Sequence, residues 1–120
     1  MRATVVCSLL MLSLMGGRAF AHARLQASNP PGGAVLAQAP SQLRLRFNEV
    51  VRLAGTGVEL AYPDGHSRLL GPLVQDPKDV RAVFADLPPG LPPGHYAVNW
   101  RALSPDAHHT HGAFAFTIGR

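Results

Sequence analysis

Sulfur is almost missing from this chain. Of its 120 residues one is a cysteine, Cys7, and the three methionines, Met1, Met11 and Met15, all precede residue 16. Beyond that point there is no thiol or thioether, which excludes disulfide stapling and every soft sulfur ligand, so any metal held there is held by nitrogen and oxygen. Long apolar runs are equally scarce. Val5 to Met15 is the only one, and it falls short of the about 20 residues that cross a bilayer. Charge is sparse too, at 15% of residues, and Arg24, Arg44, Arg46, Arg52, Arg68, Arg81 and Arg101 are scattered without a dense run. A nucleic-acid groove gathers its positive charge on one face, so no nucleic-acid partner is expected despite the high pI.

What is present begins with an export signal. Arg2 supplies the positive start, Val5 to Met15 the apolar core, and Gly16-Gly17 leads to the small-residue ending Ala19-Phe20-Ala21. Residues 1–21 are therefore expected to be a cleaved secretory signal peptide and residues 22–120 one small domain, with no stable membrane insertion after cleavage. Loss of Arg2 and Arg18 lowers the formal net charge from +4 to +2. Cleavage also makes His22 the first residue, and its new α-amino group and imidazole can close a chelate ring on one metal ion. The plain alternative is that His22 is only the end of a frayed terminus.

The domain is punctuated too often for long helices, by Pro30-Pro31, Pro40, Pro72, Pro77, Pro88-Pro89 and Pro92-Pro93. Short strands fit between these breaks. Leu43, Leu45 and Phe47 alternate with Arg44 and Arg46 and share one face. Val58 to Tyr62 and Ser67 to Leu70 flank the turn-forming Pro63-Asp64-Gly65-His66 and predict a hairpin. Val80 to Phe84, His95 to Leu103 and Ala113 to Ile118 are further strands, the last with Phe114, Phe116 and Ile118 on one side. Pro88 to Gly94 is expected to be a crossover or tight loop, and Trp100 a core residue between sheets. The pattern is all-β, a small antiparallel sandwich or barrel.

Chemistry concentrates in Ser104-Pro105-Asp106-Ala107-His108-His109-Thr110-His111-Gly112, between two predicted strands. If Asp106 and His108 are locally extended, they leave the same face about 6.6 Å apart along the chain and can converge on one ion. With the amine and ring of His22 they supply three nitrogens and one oxygen, a set suited to tetragonal Cu(II). Protons compete for such a site, because binding needs a neutral imidazole, a deprotonated amine and an ionised carboxylate, whose reference pKa values are about 6.5, about 8 and about 4. Bound metal would stabilise the fold by about 4 kcal/mol at a thousandfold excess over the dissociation constant. The bland reading of His108, His109 and His111 is a polar loop with incidental zinc affinity. His66 in its turn and His95 before its strand are expected at the surface. Glu49 is either a solvated strand-end charge or an outer acceptor for a metal-bound histidine.

Several stretches together resemble the CopC family of periplasmic copper-binding and copper-resistance proteins. They are His22-Ala23-Arg24-Leu25, Ser28-Asn29-Pro30-Pro31-Gly32, Leu45-Arg46-Phe47-Asn48-Glu49-Val50, Gly94-His95-Tyr96-Ala97-Val98-Asn99-Trp100-Arg101 and Ser104-Pro105-Asp106-Ala107-His108 followed by Gly112. The resemblance implies a Greek-key β-sandwich of about seven strands, cupredoxin-like or immunoglobulin-like. It implies one Cu(II) per chain bound by the amine and ring of His22 with Asp106 and His108, Glu49 near that site, and a periplasmic location. It implies delivery of copper to an inner-membrane transporter of the CopD type. Some members carry a second, Cu(I) site on a methionine-rich hairpin. The corresponding stretch here, Tyr62 to Arg68, has no methionine, so that site is expected to be absent, with His66 its remnant.

Two other classes of function compete with a copper carrier or buffer. Lytic polysaccharide monooxygenases also chelate copper through a terminal histidine, but they present broad aromatic surfaces, whereas this chain has one tryptophan and two tyrosines. Asp106 as a ligand would also fill a position that oxygen needs, so no catalytic residue is expected; oxygen uptake with reductant and copper would argue for the enzyme. A non-catalytic interaction module with incidental metal affinity predicts melting unchanged by copper. A zinc carrier is a close variant, separable by competition because nitrogen and oxygen sites favour Cu(II).

Overall fold

The computed structural model describes residues 22–119, so the expected signal segment, residues 1–21, lies outside the described residues. Among the described residues nine strands run in chain order: β1 (Leu25–Asn29), β2 (Val35–Leu36), β3 (Gln42–Phe47), β4 (Gly57–Ala61), β5 (Ser67–Leu70), β6 (Val74–Asp76), β7 (Asp79–Asp86), β8 (Gly94–Leu103) and β9 (His109–Ile118). Two of them, β2 and β6, are pieces of two and three residues, which leaves the seven longer strands of the expected sandwich. One sheet has the order β1-β3-β7-β6 and the other β2-β9-β8-β4-β5. Three hairpins, β4–β5, β6–β7 and β8–β9, stay within a sheet, and every other connection crosses between sheets. All pairings are antiparallel except that of β2 with β9.

The alternation in β3 does what its period requires. Leu43, Leu45 and Phe47 are fully buried while Arg44 and Arg46 stay on the outer face. Outside, the two arginines meet Asp76 and Asp79, with Arg46 Nε donating to Asp79 at 2.8 Å. Facing Leu43, Leu45 and Phe47 from the second sheet are Val58 and Leu60 of β4, Tyr96, Val98 and Trp100 of β8, and Phe116 and Ile118 of β9. Each such side chain contributes about 1.5–3 kcal/mol by leaving water. Phe47 and Trp100 join the two sheets edge to face, with ring centroids 5.4 Å apart. The indole fits because Gly112, its partner across β8 and β9, has no side chain; a Cβ there would sit 2.6 Å from Trp100 Cζ2. The Pro88 to Gly94 segment is the crossover from β7 to β8, tied by the Tyr96 hydroxyl donating to the carbonyl of Pro92.

One sequence expectation shifts in detail, and three strands were not foreseen. The final strand starts at His109 and not at Ala113, because a ten-residue ladder pairs Gly94 through Leu103 with Ile118 back to His109 and overrides the polar character of the histidines. Strands β1, β2 and β6 carry no clear alternation and owe their existence to partners distant in sequence.

Candidate metal centre

One end of the sandwich brings together the start of β1, the end of β3 and the turn between β8 and β9. Ala23 is fully buried in the core and anchors the segment that begins at His22. Clamps from both sheets hold this segment. From the end of β3, Asn48 accepts the Arg24 amide on Oδ1 at 2.7 Å, donates Nδ2 to the His22 carbonyl at 3.2 Å, and donates its own amide to the Arg24 carbonyl at 3.0 Å. From β9, the Thr110 hydroxyl donates to the Ala23 carbonyl at 2.7 Å.

The β8–β9 turn is built around Ser104, which is fully buried. Its hydroxyl donates to Asp106 Oδ1 and accepts the His108 amide at 3.2 Å, while its own amide donates to the His108 carbonyl at 2.9 Å. Ala107 closes the turn with φ of 68°, a left-handed conformation uncommon outside glycine. Arg52, from the loop after β3, supports the turn by donating to the Pro105 carbonyl at 2.7 Å. The stretch from Asp106 to His108 is therefore a tight turn and not an extended segment. Asp106 Oδ2 lies 2.9 Å from His108 Nδ1, so the two side chains touch directly.

These two scaffolds set the His22 and His108 rings edge to face, with centroids 5.2 Å apart and planes at 88°. Asp106, His108 and His22 thus occupy one end of the molecule, and Asp106 and His108 stay accessible to solvent. The Asp106 carboxyl is held at about 2, first by the Ser104 hydroxyl and then by His108. It stays ionised across any ordinary pH and is a ready oxygen donor. Among the described residues no three His, Asp or Glu side chains form a finished metal cage. A metal entering between Asp106 and His108 would have to displace their direct contact.

Glu49, one residue past the Asn48 clamp, has its Oε1 buried with no hydrogen-bond donor among the described residues. The other histidines are carried elsewhere. His109 and His111 alternate with Thr110, whose hydroxyl points inward to Ala23, so they face out from the five-stranded sheet. His66 stacks on Tyr62, with centroids 4.0 Å apart, and its Nδ1 meets Asp64; His95 Nδ1 is 2.7 Å from the Thr117 hydroxyl. Sequence reasoning passed over Asn48, Ser104, Arg52 and Thr110 as working residues. Asn48 and Ser104 lie inside the stretches that carry the family resemblance, which was the available signal.

Comparison with known proteins agrees with this architecture. The CopC domain family matches residues 25–119. The chain is 29% identical over 111 residues to Protein YobA of Escherichia coli K12, covering 92% of this chain and 90% of that protein. It is 30% identical over 106 residues to copper resistance protein C of Escherichia coli, covering 83% of each. It is 31% identical over 113 residues to the copper transport protein CutJ of Bacillus subtilis, covering 93% of this chain but 21% of that one. Among solved structures, CopC from Methylosinus trichosporium OB3b superposes with a TM-score of 0.72 at 27% identity, covering 82% of this chain and 94% of that one. PcoC, a methionine-rich copper resistance protein from Escherichia coli, gives 0.69 at 27% identity, covering 82% and 99%.

Proposed function

The chain belongs to the CopC family, and from that premise we propose that it is an exported periplasmic protein that carries one Cu(II) and passes it to an inner-membrane transporter of the CopD type. Copper is the cargo. Its ligands are the freed amine and ring of His22, the carboxylate of Asp106 and the ring of His108. The observation that carries this reading is the edge-to-face meeting of His22 and His108 at 5.2 Å beside an ionised Asp106, with the His22 segment clamped from both sheets. The missing donor is the amine, which exists only once the bond between Ala21 and His22 is cut.

The choice of Cu(II) follows from the donors. Every sulfur atom of the chain precedes residue 16, and nitrogen and oxygen donors suit the oxidised ion. The hairpin of β4 and β5 carries no methionine, and His66 there is engaged by Asp64 and Tyr62, so no Cu(I) site is assigned to it. Glu49 serves as an outer carboxylate, its buried Oε1 available to a donor when a histidine ring reorients onto metal. A carboxylate ligand fills a position that oxygen activation needs open, which favours a carrier over a catalyst.

Both sheets lie within residues 22–119, so a chain beginning at His22 keeps every strand of the described residues. Three purified forms test the ligand set: the chain starting at His22, the same chain with one extra residue in front, and Asp106→Ala. The first is expected to bind Cu(II) tightly and quench Trp100 fluorescence, and the other two to bind more weakly. Equal affinity in all three rejects the ligand set. Mass spectrometry of exported protein checks the premise, since an N-terminus other than His22 removes the chelate.

A further inference from the structure

The outer face of the five-stranded sheet carries a pair of histidines that the His22 centre does not use. His109 and His111 stand two apart in β9, both exposed. Thr110 between them is turned inward and bonded to Ala23, which fixes the pleat and sends both rings to the same side. Residues two apart on a strand are separated by about 6.8 Å along it, a span two imidazoles close when each leans toward a shared ion at about 2.0 Å from its ring nitrogen. No hydrogen bond or ion pair holds either ring among the described residues. The strand itself is rigid there, because His109 pairs with Leu103 and His111 with Arg101 in the ladder of β8 and β9.

The geometry points to His109 and His111 as a second metal site, a two-imidazole clamp for a borderline divalent cation, Cu(II) above all, on the outer face of the five-stranded sheet. It holds its ion by two protein nitrogens and leaves the remaining positions to water, so it is weak and fast to exchange. Among the described residues no carboxylate completes it. Arg101 stands across the ladder from His111 as an exposed like charge and weakens it further. This site does not depend on the amine of His22, which separates it from the centre proposed above.

Titration of Cu(II) alone into the chain starting at His22, followed by calorimetry and pulsed electron paramagnetic resonance, tests the clamp. Two equivalents are expected, the second at least a hundredfold weaker and with two equatorial imidazole nitrogens. His109→Gln and His111→Gln should each weaken the second equivalent by tenfold or more and leave the first unchanged. Arg101→Gln should tighten the second severalfold. With one extra residue ahead of His22, the second equivalent should persist, so failure of the His22 centre and failure of the clamp give different patterns. Absence of a second equivalent, or one that neither histidine variant moves, overturns the proposal.

Discussion

Replacing Asn48 by alanine separates the positioning of His22 from its chemistry. The side chain makes two hydrogen bonds to the His22–Arg24 segment, at 2.7 Å to the Arg24 amide and 3.2 Å to the His22 carbonyl, while the Asn48 backbone bond to Arg24 at 3.0 Å survives the substitution. Each such bond contributes about 0.5–1.5 kcal/mol net, and the one to Arg24 is solvent-exposed, so about 1.5 kcal/mol is removed in all. Ala23 remains buried and Thr110 still holds its carbonyl, which keeps the core and the β1–β3 pairing in place. The loss falls on the ordering of His22. In the variant this ordering is paid for when copper binds, so the dissociation constant should rise about tenfold. Asn48→Asp keeps the acceptor for Arg24 but turns a carboxylate toward the His22 carbonyl, and it should weaken binding at least as much. Competition with a chelator of known Cu(II) affinity measures both. Affinity within twofold of the parent in both variants, with the fold intact by circular dichroism, would refute the positioning role.

Ser104→Ala removes the principal donor to Asp106, so the Asp106 carboxyl should titrate above its present value of about 2 and toward the ordinary range near 3.8, followed by carboxyl nuclear magnetic resonance. Because that folded value is depressed, Asp106 adds stability above pH about 4 that fades as pH falls toward 2, and Ser104→Ala should shrink this acid-side loss in denaturant unfolding. Gly112→Ala drives a methyl into the Trp100 indole and should cost about 1–3 kcal/mol with a shift in tryptophan emission, so a neutral effect in denaturant unfolding would contradict the contact. Ala107→Gly relieves the left-handed residue and should stabilise by up to about 1 kcal/mol, whereas Ala107→Val should destabilise by about 1–2 kcal/mol in the same assay.

The residues themselves determined which segments became strands wherever one face is apolar. Leu43, Leu45 and Phe47, the Tyr96 to Trp100 alternation and the Phe114 to Ile118 alternation declare buried faces without reference to any partner. The proline spacing argued against long helices in the domain, the Pro63 to His66 turn declared its hairpin, and the donor types beyond residue 15 excluded sulfur chemistry. His22, Asp106 and His108 were legible as candidates because their side-chain chemistry does not depend on the fold. What joined them was not legible. Sequence separations of 26 from His22 to Asn48 and 87 from Ala23 to Thr110 are bridged only when two sheets close on a common core. The turn at Ser104 likewise replaced an extended guess with direct contact between Asp106 and His108, because a buried hydroxyl needs partners and found them there. Local pattern specifies faces and donors; long-range pairing decides which of them meet, since only tertiary burial repays the entropy of closing such long loops.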